Sequence, residues 1–266
     1  MAHMGKTLSF AFGKNWQSFV HEVTESRISN AQTSLLRLFP DGELVGKPFF
    51  DIGCGSGLSM LAALRAGASE AIGIDADQDS VAATKALLTK HAANKNWRVE
   101  HKSVFDLAPV GTRPVVHSWG VLHHTGNMNE ATRKAAETVA PGGIFALSIY
   151  RKTTLCPLWK AEKAVYFKAP SALQSVIAAG YKSAYLGALL LTGRNPAAYI
   201  NNYNSERGMS WSHDVHDWLG GYPYESASPT EIRSALPEFE VVRSFERPGG
   251  FGLFGSGCNE YVFRRK

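Results

Sequence analysis

Three glycines at alternate positions follow a short apolar run. Gly53, Gly55 and Gly57 lie within the stretch FFDIGCGSGLSM at residues 49–60. Glycine has no Cβ, so the backbone at these positions can turn tightly or let a ligand approach closely. At the mouth of a parallel sheet, such a strand–turn–helix unit directs backbone N–H groups at a bound molecule. The spacing therefore indicates either a tight turn alone or a binding loop.

An acidic residue at the end of the next predicted strand favours the binding loop. Asp75 can accept hydrogen bonds from both hydroxyls of a ribose. Its alternative role is to cap the following helix, but Asp77 and Asp79 are better placed for that. A dinucleotide and a smaller adenosine derivative both fit this pattern. Asp51, just before the glycines, would repel a pyrophosphate but suits a cationic ligand that carries an ammonium or sulfonium group.

Several of these segments together resemble a known family. DIGCGSG at 51–57, GID at 73–75 and PGG at 141–143 resemble the signature elements of class I S-adenosylmethionine-dependent methyltransferases. SWGVLHH at 118–124 resembles the segment after strand four in a subgroup with many small-molecule and glycan-modifying enzymes. The resemblance covers about residues 45–150 and leaves 151–227 unmatched.

The resemblance implies S-adenosyl-L-methionine as the cofactor and assigns residues to its parts. By this resemblance, the methionine part is bound by Asp51, Gly53 and Gly55, and the ribose is bound by Asp75. The adenine is flanked by the loop 103–105. The full implied set is Asp51, Gly53, Cys54, Gly55, Gly57, Asp75, Ala76, Ser103, Val104, Phe105, Trp119 and Gly120. In one departure, Ser103 replaces the aspartate that many relatives carry for the adenine amine, and Asp106 is slightly displaced.

Two histidines are candidates for the catalytic base. Methyl transfer from a sulfonium is an in-line displacement that depends largely on positioning, and an oxygen acceptor must also lose a proton. His123 and His124 follow the fourth predicted strand and should lie at the carboxyl edge of the sheet. One of them could act as the base, or both could fix the loop by hydrogen bonds. Tyr150, at the end of strand five, is the third catalytic candidate.

An aromatic stretch at 217–225 is the candidate acceptor pocket. Trp218, Tyr222 and Tyr224 are predicted to bind the substrate. The alternative is an aromatic mini-core under a loop. The histidines and aspartates at 213–217 do not predict a metal site, because the run is short and is predicted to be a loop.

Strands alternate with helices between residues 48 and 150, which predicts βαβ units. The strands are predicted at 48–52, 71–74, 98–101, 115–119 and 144–150, with two more at 240–245 and 260–263. The fold class is therefore α/β, a Rossmann-like seven-stranded mostly parallel sheet with helices on both faces. One domain is predicted over 5–266, with an N-terminal helical cap at 14–39 and a mostly helical substrate or lid insertion at 151–227.

Composition sets weaker limits on partners. The formal charge is +5, and we expect the excess to be spread along the chain apart from the last three residues. No basic tract with interleaved aromatics is present, so nucleic acid is not expected as a partner. No membrane partner is expected either, because the most apolar stretch, around residues 184–191, is far shorter than the roughly 20 residues that span a bilayer. Three widely spaced cysteines favour neither disulfides nor a metal knuckle. A cytoplasmic location is expected, and the oligomeric state is open.

The leading interpretation is a methyltransferase that acts on a small molecule or glycan, with oxygen favoured over nitrogen because of the histidines. A protein lysine methyltransferase would need an open acidic groove, and Glu162 and Glu206 are isolated. A cyclase or lyase that releases methylthioadenosine from the cofactor's own amino-acid arm would need a closed apolar chamber, which the apolar stretch at 181–191 and the N-terminal helices could cover. A non-catalytic S-adenosylmethionine-binding module is the remaining alternative.

Overall fold

A seven-stranded sheet forms the centre of the computed structural model, which describes residues 12–21, 23–206, 211–247 and 250–266. The strand order is β3-β2-β1-β4-β5-β7-β6, and only β7 runs antiparallel to its neighbours. This confirms the predicted fold class. The strands are β1 Pro48–Ile52, β2 Glu70–Asp75, β3 Trp97–His101, β4 Arg113–Trp119, β5 Val139–Tyr150, β6 Phe239–Phe245 and β7 Cys258–Arg265.

Helices lie before, between and after the strands. They are α1 Phe12–His21, α2 Glu25–Leu38, α3 Leu58–Arg65, α4 Gln78–His91, α5 Met128–Ala136, α6 Cys156–Lys168, α7 Ser171–Leu191, α8 Pro196–Glu206, α9 Trp211–Gly220 and α10 Pro229–Ala235. Short 3₁₀ turns occupy Val104–Asp106 and Leu122–His124. Ser228 and Glu231 form a capping box at the start of α10.

Side chains on β1 show why both faces of the sheet are covered. Successive residues of a strand point to opposite faces, so Phe49 and Phe50 enter different cores. Phe49 packs with residues such as Ile144, and Phe50 packs with residues such as Phe145. Both phenylalanines are buried. A strand that is apolar on both faces is typical of a parallel sheet between two helix layers.

The start of β5 differs from the prediction. Residues 141–143 were expected to form a turn that leads into a strand at 144, but β5 already begins at Val139. Val139 pairs with Arg113, and Ile144 pairs with Val115. Between these two pairs, β5 therefore contains more residues than β4. Gly142 has a φ of 71°. The proline–glycine segment is therefore a bulge within the strand.

The segment after β5 is more helical than predicted. α8 was not predicted, although the Asn195 side chain accepts hydrogen bonds from Ala197 N and Ala198 N at its start. The predicted loop at 213–217 lies within α9. This helix forms because Trp211, Val215 and Leu219 recur at four-residue spacing and are buried in one cluster.

The two ends of the segment 151–227 meet, since Arg151 and Ala227 form an isolated parallel bridge. The predicted bounds of the insertion and of the N-terminal cap stay predictions. Among the described helices, no single one is long and apolar enough to cross a membrane. α7 passes that test only together with Pro196–Tyr203, and the two helices are bent by 117° at the break between them.

Candidate functional site

A cavity of about 1240 Å³ lies at the carboxyl ends of the central strands. It brings together most of the residues that the sequence predicted for the site. From the cofactor set it is lined by Gly53, Gly55, Asp75, Ala76, Ser103, Val104, Phe105, Trp119 and Gly120. From the catalytic and substrate sets it is lined by His123, His124, Tyr150 and Trp218. The other five predicted residues, Asp51, Cys54, Gly57, Tyr222 and Tyr224, lie behind or beside this lining.

The N–H groups of the glycine loop are used within the protein. Gly53 N and Cys54 N both donate to Ile74 O, at 2.8 and 3.0 Å. Gly55 N donates to Asp75 Oδ2 at 2.9 Å. A phosphate-binding loop keeps such donors directed at its ligand. The arrangement therefore favours an adenosine derivative without phosphates over a dinucleotide.

Asp75 is held at the cavity wall with its carboxylate in place. Oδ2 accepts from Gly55 N, and Oδ1 accepts from Asp77 N at 2.9 Å. Burial raises the pKa of Asp75 from 3.8 to about 6, and the two backbone hydrogen bonds offset part of that rise. Each carboxylate oxygen can accept a further hydrogen bond. The geometry therefore fits the predicted hydrogen bonds from two neighbouring ribose hydroxyls to Asp75.

Asp51 is not among the residues that line the cavity, and its predicted contact with the methionine part of the cofactor stays a prediction. Its carboxylate is buried and lies 2.7 Å from His117 Nδ1. Asp51 and His117 are direct partners in the register between β1 and β4. His117 stacks on Trp119 with ring centres 5.5 Å apart. Asp51 therefore positions His117 and Trp119, and these two line the cavity.

Cys54 and Gly57 are not among the residues that line the cavity either, and their predicted contacts with the cofactor stay predictions. The Cys54 side chain is buried, and Thr84 Oγ1 lies 3.4 Å from its sulfur. Gly57 has a φ of 81° and caps α3, and a Cβ there would lie 2.7 Å from Thr84 Cγ2. Both residues therefore contribute to the close packing of the glycine loop on α4.

Helix α1 covers the glycine loop, which the sequence analysis did not predict in detail. A Cβ built on Gly55 would lie 3.2 Å from Trp16 Nε1. Gly13 N donates to Asp77 Oδ2 at 2.9 Å, and Gln17 Nε2 donates to Asp79 Oδ1 at 3.0 Å. Trp16 lines the cavity next to Gly55. The only signal in the sequence was an apolar helical pattern, which does not say where the helix docks.

Ser103 does not occupy its predicted position as a free replacement for the adenine-binding aspartate. Its hydroxyl accepts from Phe105 N at 3.3 Å and caps the 3₁₀ turn. Asp106 is exposed and lies outside the lining. The lining at this edge therefore consists of the backbone at 103–105 and the half-buried ring of Phe105.

The two histidines sit in a tightly packed loop. His123 is fully buried, and its Nδ1 accepts a 3.3 Å hydrogen bond from Tyr150 N. Its proton is therefore on Nε2, which is buried with no partner among the described residues. Burial holds the pKa of His123 well below its usual range. In this tautomer His123 is a hydrogen-bond donor rather than a base.

His124 is the opposite tautomer, because its Nδ1 donates to Pro223 O at 2.8 Å. Burial lowers its pKa to about 4, although the Pro223 and Gly221 backbone partly offsets this. A Cβ on Gly221 would lie 2.6 Å from His124 Cε1. The imidazole ring of His124 is therefore in close contact with the chain at 221–223. These contacts fit the loop-fixing alternative, and the role of base stays a prediction.

Tyr150 lies between the two histidines and the part of the cavity that is lined by Trp218 and other aromatic side chains, which we call the aromatic chamber. Its ring lies 3.9 Å from His123 and 5.2 Å from Trp218, measured between centroids. Burial raises the pKa of its hydroxyl well above its usual range. Tyr150 is therefore neutral at physiological pH, and it can orient an acceptor but not serve as a resting base.

Helices α7, α8 and α9 form the far wall of this chamber. Tyr185 donates its hydroxyl hydrogen to Tyr199 Oη at 2.8 Å, and the Tyr203 hydroxyl donates to Asp214. Burial raises the pKa of Asp214 to about 6. The cavity is lined here by Tyr181, Tyr185, Tyr199, Tyr203, Trp211, Asp214 and Asp217. The sequence analysis missed the tyrosines, although two pairs at i, i+4 spacing place them on common helix faces.

Tyr222 and Tyr224 do not line the cavity, and their predicted substrate contacts stay predictions. Tyr222 stacks on Phe167 with ring centres 5.4 Å apart. Tyr224 is buried, and its hydroxyl lies 3.2 Å from Cys156 Sγ. Both belong to the aromatic packing that supports the chamber, which was the alternative interpretation of this stretch. Trp218 alone of the three lines the cavity.

No group of metal-ligating side chains was found in the described parts of the chain. The carboxylate of Asp75 and the open space beside Gly120, where a built Cβ would meet nothing within 4 Å, fit an adenosyl group with an amino-acid arm.

A family model described as a methyltransferase domain matches residues 50–145. The chain carries a class I methyltransferase domain. The predicted family, the transferase class and S-adenosylmethionine as the cofactor are thereby confirmed for this domain.

The curated relatives match only part of the chain. Ribosomal protein L11 methyltransferase from Stenotrophomonas maltophilia strain R551-3 is 38% identical over 114 residues, which are 42% of this chain and 35% of the relative. The protein of the same name from Photobacterium profundum is 30% identical over 161 residues, 57% of this chain and 51% of the relative. The chain thus spans about a third to a half of these relatives.

Solved structures share the fold over nearly the whole chain. Magnesium protoporphyrin IX methyltransferase from Synechocystis PCC 6803, with bound SAH, has a TM-score of 0.56 at 15% identity and covers 95% of this chain and 93% of that one. An S-adenosylmethionine-dependent methyltransferase from Mesorhizobium loti has a TM-score of 0.53 at 17% identity and covers 88% and 96%. At such identities the likeness shows the fold alone.

Proposed function

We propose that the protein transfers the methyl group of S-adenosylmethionine to a small-molecule or glycan acceptor bound in the aromatic chamber. The observation that carries this proposal is that one cavity joins the Asp75 wall to the ring of Trp218. When bound, S-adenosylmethionine supplies an electrophilic methyl group on a sulfonium. The protein's contribution is then to align an acceptor atom with that methyl group.

The size of the cavity supports a separate acceptor. Its volume of about 1240 Å³ exceeds the roughly 300–1,000 Å³ of ordinary ligand pockets. A cyclase that attacks within the cofactor would need a closed chamber without room for a second molecule. This volume therefore favours transfer to an acceptor over that alternative.

The lining residues divide by position. Asp75 would hold the ribose, the backbone at 103–105 would flank the adenine, and Gly120 would border the amino-acid arm. Tyr150 and Trp218 meet edge to face at the entry to the chamber, where a planar or sugar-like acceptor could stack.

The proposal also specifies oxygen as the acceptor atom. The sequence favours oxygen because of the two histidines, but their contacts in the structure fit a role in fixing the loop. Asp214 offers another proton acceptor in the chamber, because a carboxyl group with a pKa of about 6 is mostly ionised at neutral pH. The names of the relatives include both protein and small-molecule acceptors. They therefore leave the acceptor open.

Product analysis tests this proposal. The purified protein is incubated with S-adenosylmethionine alone, then with a small-molecule extract, and then with a protein fraction. We expect S-adenosylhomocysteine to accumulate only with the small-molecule extract. Methylthioadenosine formed from the cofactor alone would show the cyclase reaction instead. Turnover that depends on the protein fraction would show a protein methyltransferase.

A further inference from the structure

The positive charge of the chain is concentrated in one segment. Residues 151–203 contain seven basic residues and a single acidic residue, Glu162. The whole chain has 28 basic and 23 acidic residues, so the remainder has 21 and 22. This corrects the expectation that the excess is spread along the chain. The segment that carries it is the one that contains α6, α7 and most of α8.

The outer face of α7 is uncharged along the whole helix. Leu173, Val176, Leu190 and Leu191 are exposed, with exposed fractions that rise to 91% at Leu191. The residues between them on this face are Ala179, Gly180, Ser183, Ala184 and Gly187. Lys182 is the one charged residue of α7, and its Nζ donates to Ser212 Oγ at 2.6 Å.

The other face of α7 is already covered by protein. Ile177, Tyr181, Tyr185 and Leu186 pack against the cluster that contains Tyr166 and Trp211. A surface helix of a globular protein normally carries polar residues opposite its buried stripe. A helix that is apolar on both faces is normally covered on both. Within the described parts of the chain, the outer face of α7 therefore lacks the covering that its composition predicts.

A neighbouring loop packs against α7 and carries further exposed apolar residues. Phe254 packs edge to face on Tyr181 and Tyr185, and Tyr181 Oη donates to Phe254 O at 2.8 Å. In this loop Phe251 and Leu253 are 74% and 65% exposed. We call the exposed residues Leu173, Val176, Leu190, Leu191, Phe251 and Leu253 the apolar shelf.

Basic side chains flank the apolar shelf. Lys168 and Arg194 are exposed within three residues of the two ends of α7, and Lys160 is exposed on α6. Between residues 151 and 203, which the structure describes throughout, the one acidic side chain is the partly buried Glu162. Exposed apolar residues with a basic border are the signature of a surface that lies on anionic lipid.

We propose that the apolar shelf docks on an anionic lipid bilayer, with α7 lying along the membrane surface. Charge decides between this occupant and a second copy of the chain. Two copies joined through α7 would bring their Lys168 and Arg194 side chains together, and like charges repel. Anionic headgroups instead attract each of these residues. The prediction that the protein has no membrane partner is therefore replaced by this proposal.

Vesicle sedimentation of the full chain tests the proposal. Extruded vesicles of phosphatidylglycerol and phosphatidylcholine in equal amounts are compared with vesicles of phosphatidylcholine alone. We expect the protein to sediment with the anionic vesicles and to bind them at least about tenfold more strongly than the neutral ones, with release as salt rises from roughly 0.1 to 0.5 M.

Two matched variants locate the surface. Val176→Glu with Leu190→Glu places two negative charges on the shelf, and we expect binding to fall at least about tenfold. Val45→Glu with Val110→Glu makes the same change at two exposed valines in the loops before β1 and β4, at the opposite edge of the sheet, and should bind like the wild type. Thermal unfolding of both variants near the wild-type temperature shows that they are folded, as expected for exposed sites.

Three outcomes would overturn the proposal. The first is the absence of sedimentation with anionic vesicles. The second is equal loss of binding in both double variants, which would reflect net charge alone. The third is a dimer in light scattering that only the α7 variant loses, because this would assign the shelf to a second copy of the chain.

Discussion

Replacing Asp75 by asparagine separates the two roles of its carboxylate. The carboxylate oxygens accept from Gly55 N and Asp77 N and, in the proposed complex, from the ribose hydroxyls. Asparagine keeps the shape but removes the charge and turns one acceptor into a donor. A hydrogen bond to a charged group contributes about 1.5–3 kcal/mol, so cofactor affinity should fall by about 10- to 150-fold.

The effect on folding should have the opposite sign. The pKa of Asp75 rises from 3.8 in the unfolded chain to about 6 in the folded protein. The folded state therefore binds the proton more tightly, and wild-type stability should fall as pH rises from about 4 to 6. In the wild type, a shift of this size corresponds to a loss of up to about 3 kcal/mol of unfolding free energy over this pH range. The asparagine variant has no carboxyl group to titrate at this position, so it does not lose this stability. One backbone N–H loses its acceptor in that variant, which offsets part of the gain.

Calorimetry with S-adenosylhomocysteine between pH 5 and 8 checks both parts. Wild-type affinity should weaken below pH 6 as Asp75 becomes protonated, whereas the asparagine variant should be weak and insensitive to pH. Asp106→Asn makes the same charge change at an exposed residue outside the cavity lining and serves as the control. Unchanged affinity in the Asp75 variant, or a pH profile that matches the wild type, would refute the ribose assignment.

Four further substitutions probe the cover and the histidine loop. His123→Gln and His124→Gln should lower the unfolding free energy by about 1–3 kcal/mol if they fix the loop, whereas a role as base would lower kcat without changing the unfolding temperature. Gly221→Ala should lower the unfolding free energy by about 1–3 kcal/mol in denaturant titration, because its Cβ would meet His124 Cε1 at 2.6 Å, and a wild-type midpoint would contradict this. Trp16→Ala should speed release of S-adenosylhomocysteine in stopped-flow experiments by about 5- to 30-fold through the loss of roughly 1–2 kcal/mol of apolar contact, and unchanged release would remove α1 as a cover.

The central sheet was predictable because its signals are local. β1 is an apolar run that ends at a glycine turn, and its predicted bounds agree with the structure. β2 was placed within one residue at each end. The bulge at 139–144 was not predictable in the same way, because proline and glycine are equally common in turns and bulges.

The contacts of Asp51 show the limit of a local pattern. The sequence places a carboxylate beside the glycine turn, and it does not say which neighbour that carboxylate meets. His117 lies 66 residues away and becomes its partner only because β4 is adjacent to β1 in register. A contact between residues on neighbouring strands depends on the order of the strands. It can be identified only after the topology of the sheet is known.

The chamber wall was missed for a different reason. Tyr181 and Tyr185 recur at helical spacing, and so do Tyr199 and Tyr203. Aromatic residues at this spacing are common in ordinary cores, so the pattern gives no sign of a cavity. The wall depends on how α7, α8 and α9 pack, and this follows from contacts such as the hydrogen bond between the Tyr185 and Tyr199 hydroxyls.

The two sides of the cavity are built from different interactions. The cofactor side consists mainly of backbone and one carboxylate at strand ends, where the sheet fixes every position through its ladder. On the acceptor side the Tyr185–Tyr199 and Tyr203–Asp214 pairs join three helices to one another. Substitutions at these four residues should therefore change which acceptor fits while leaving the Asp75 wall in place, because no strand of the sheet supplies them.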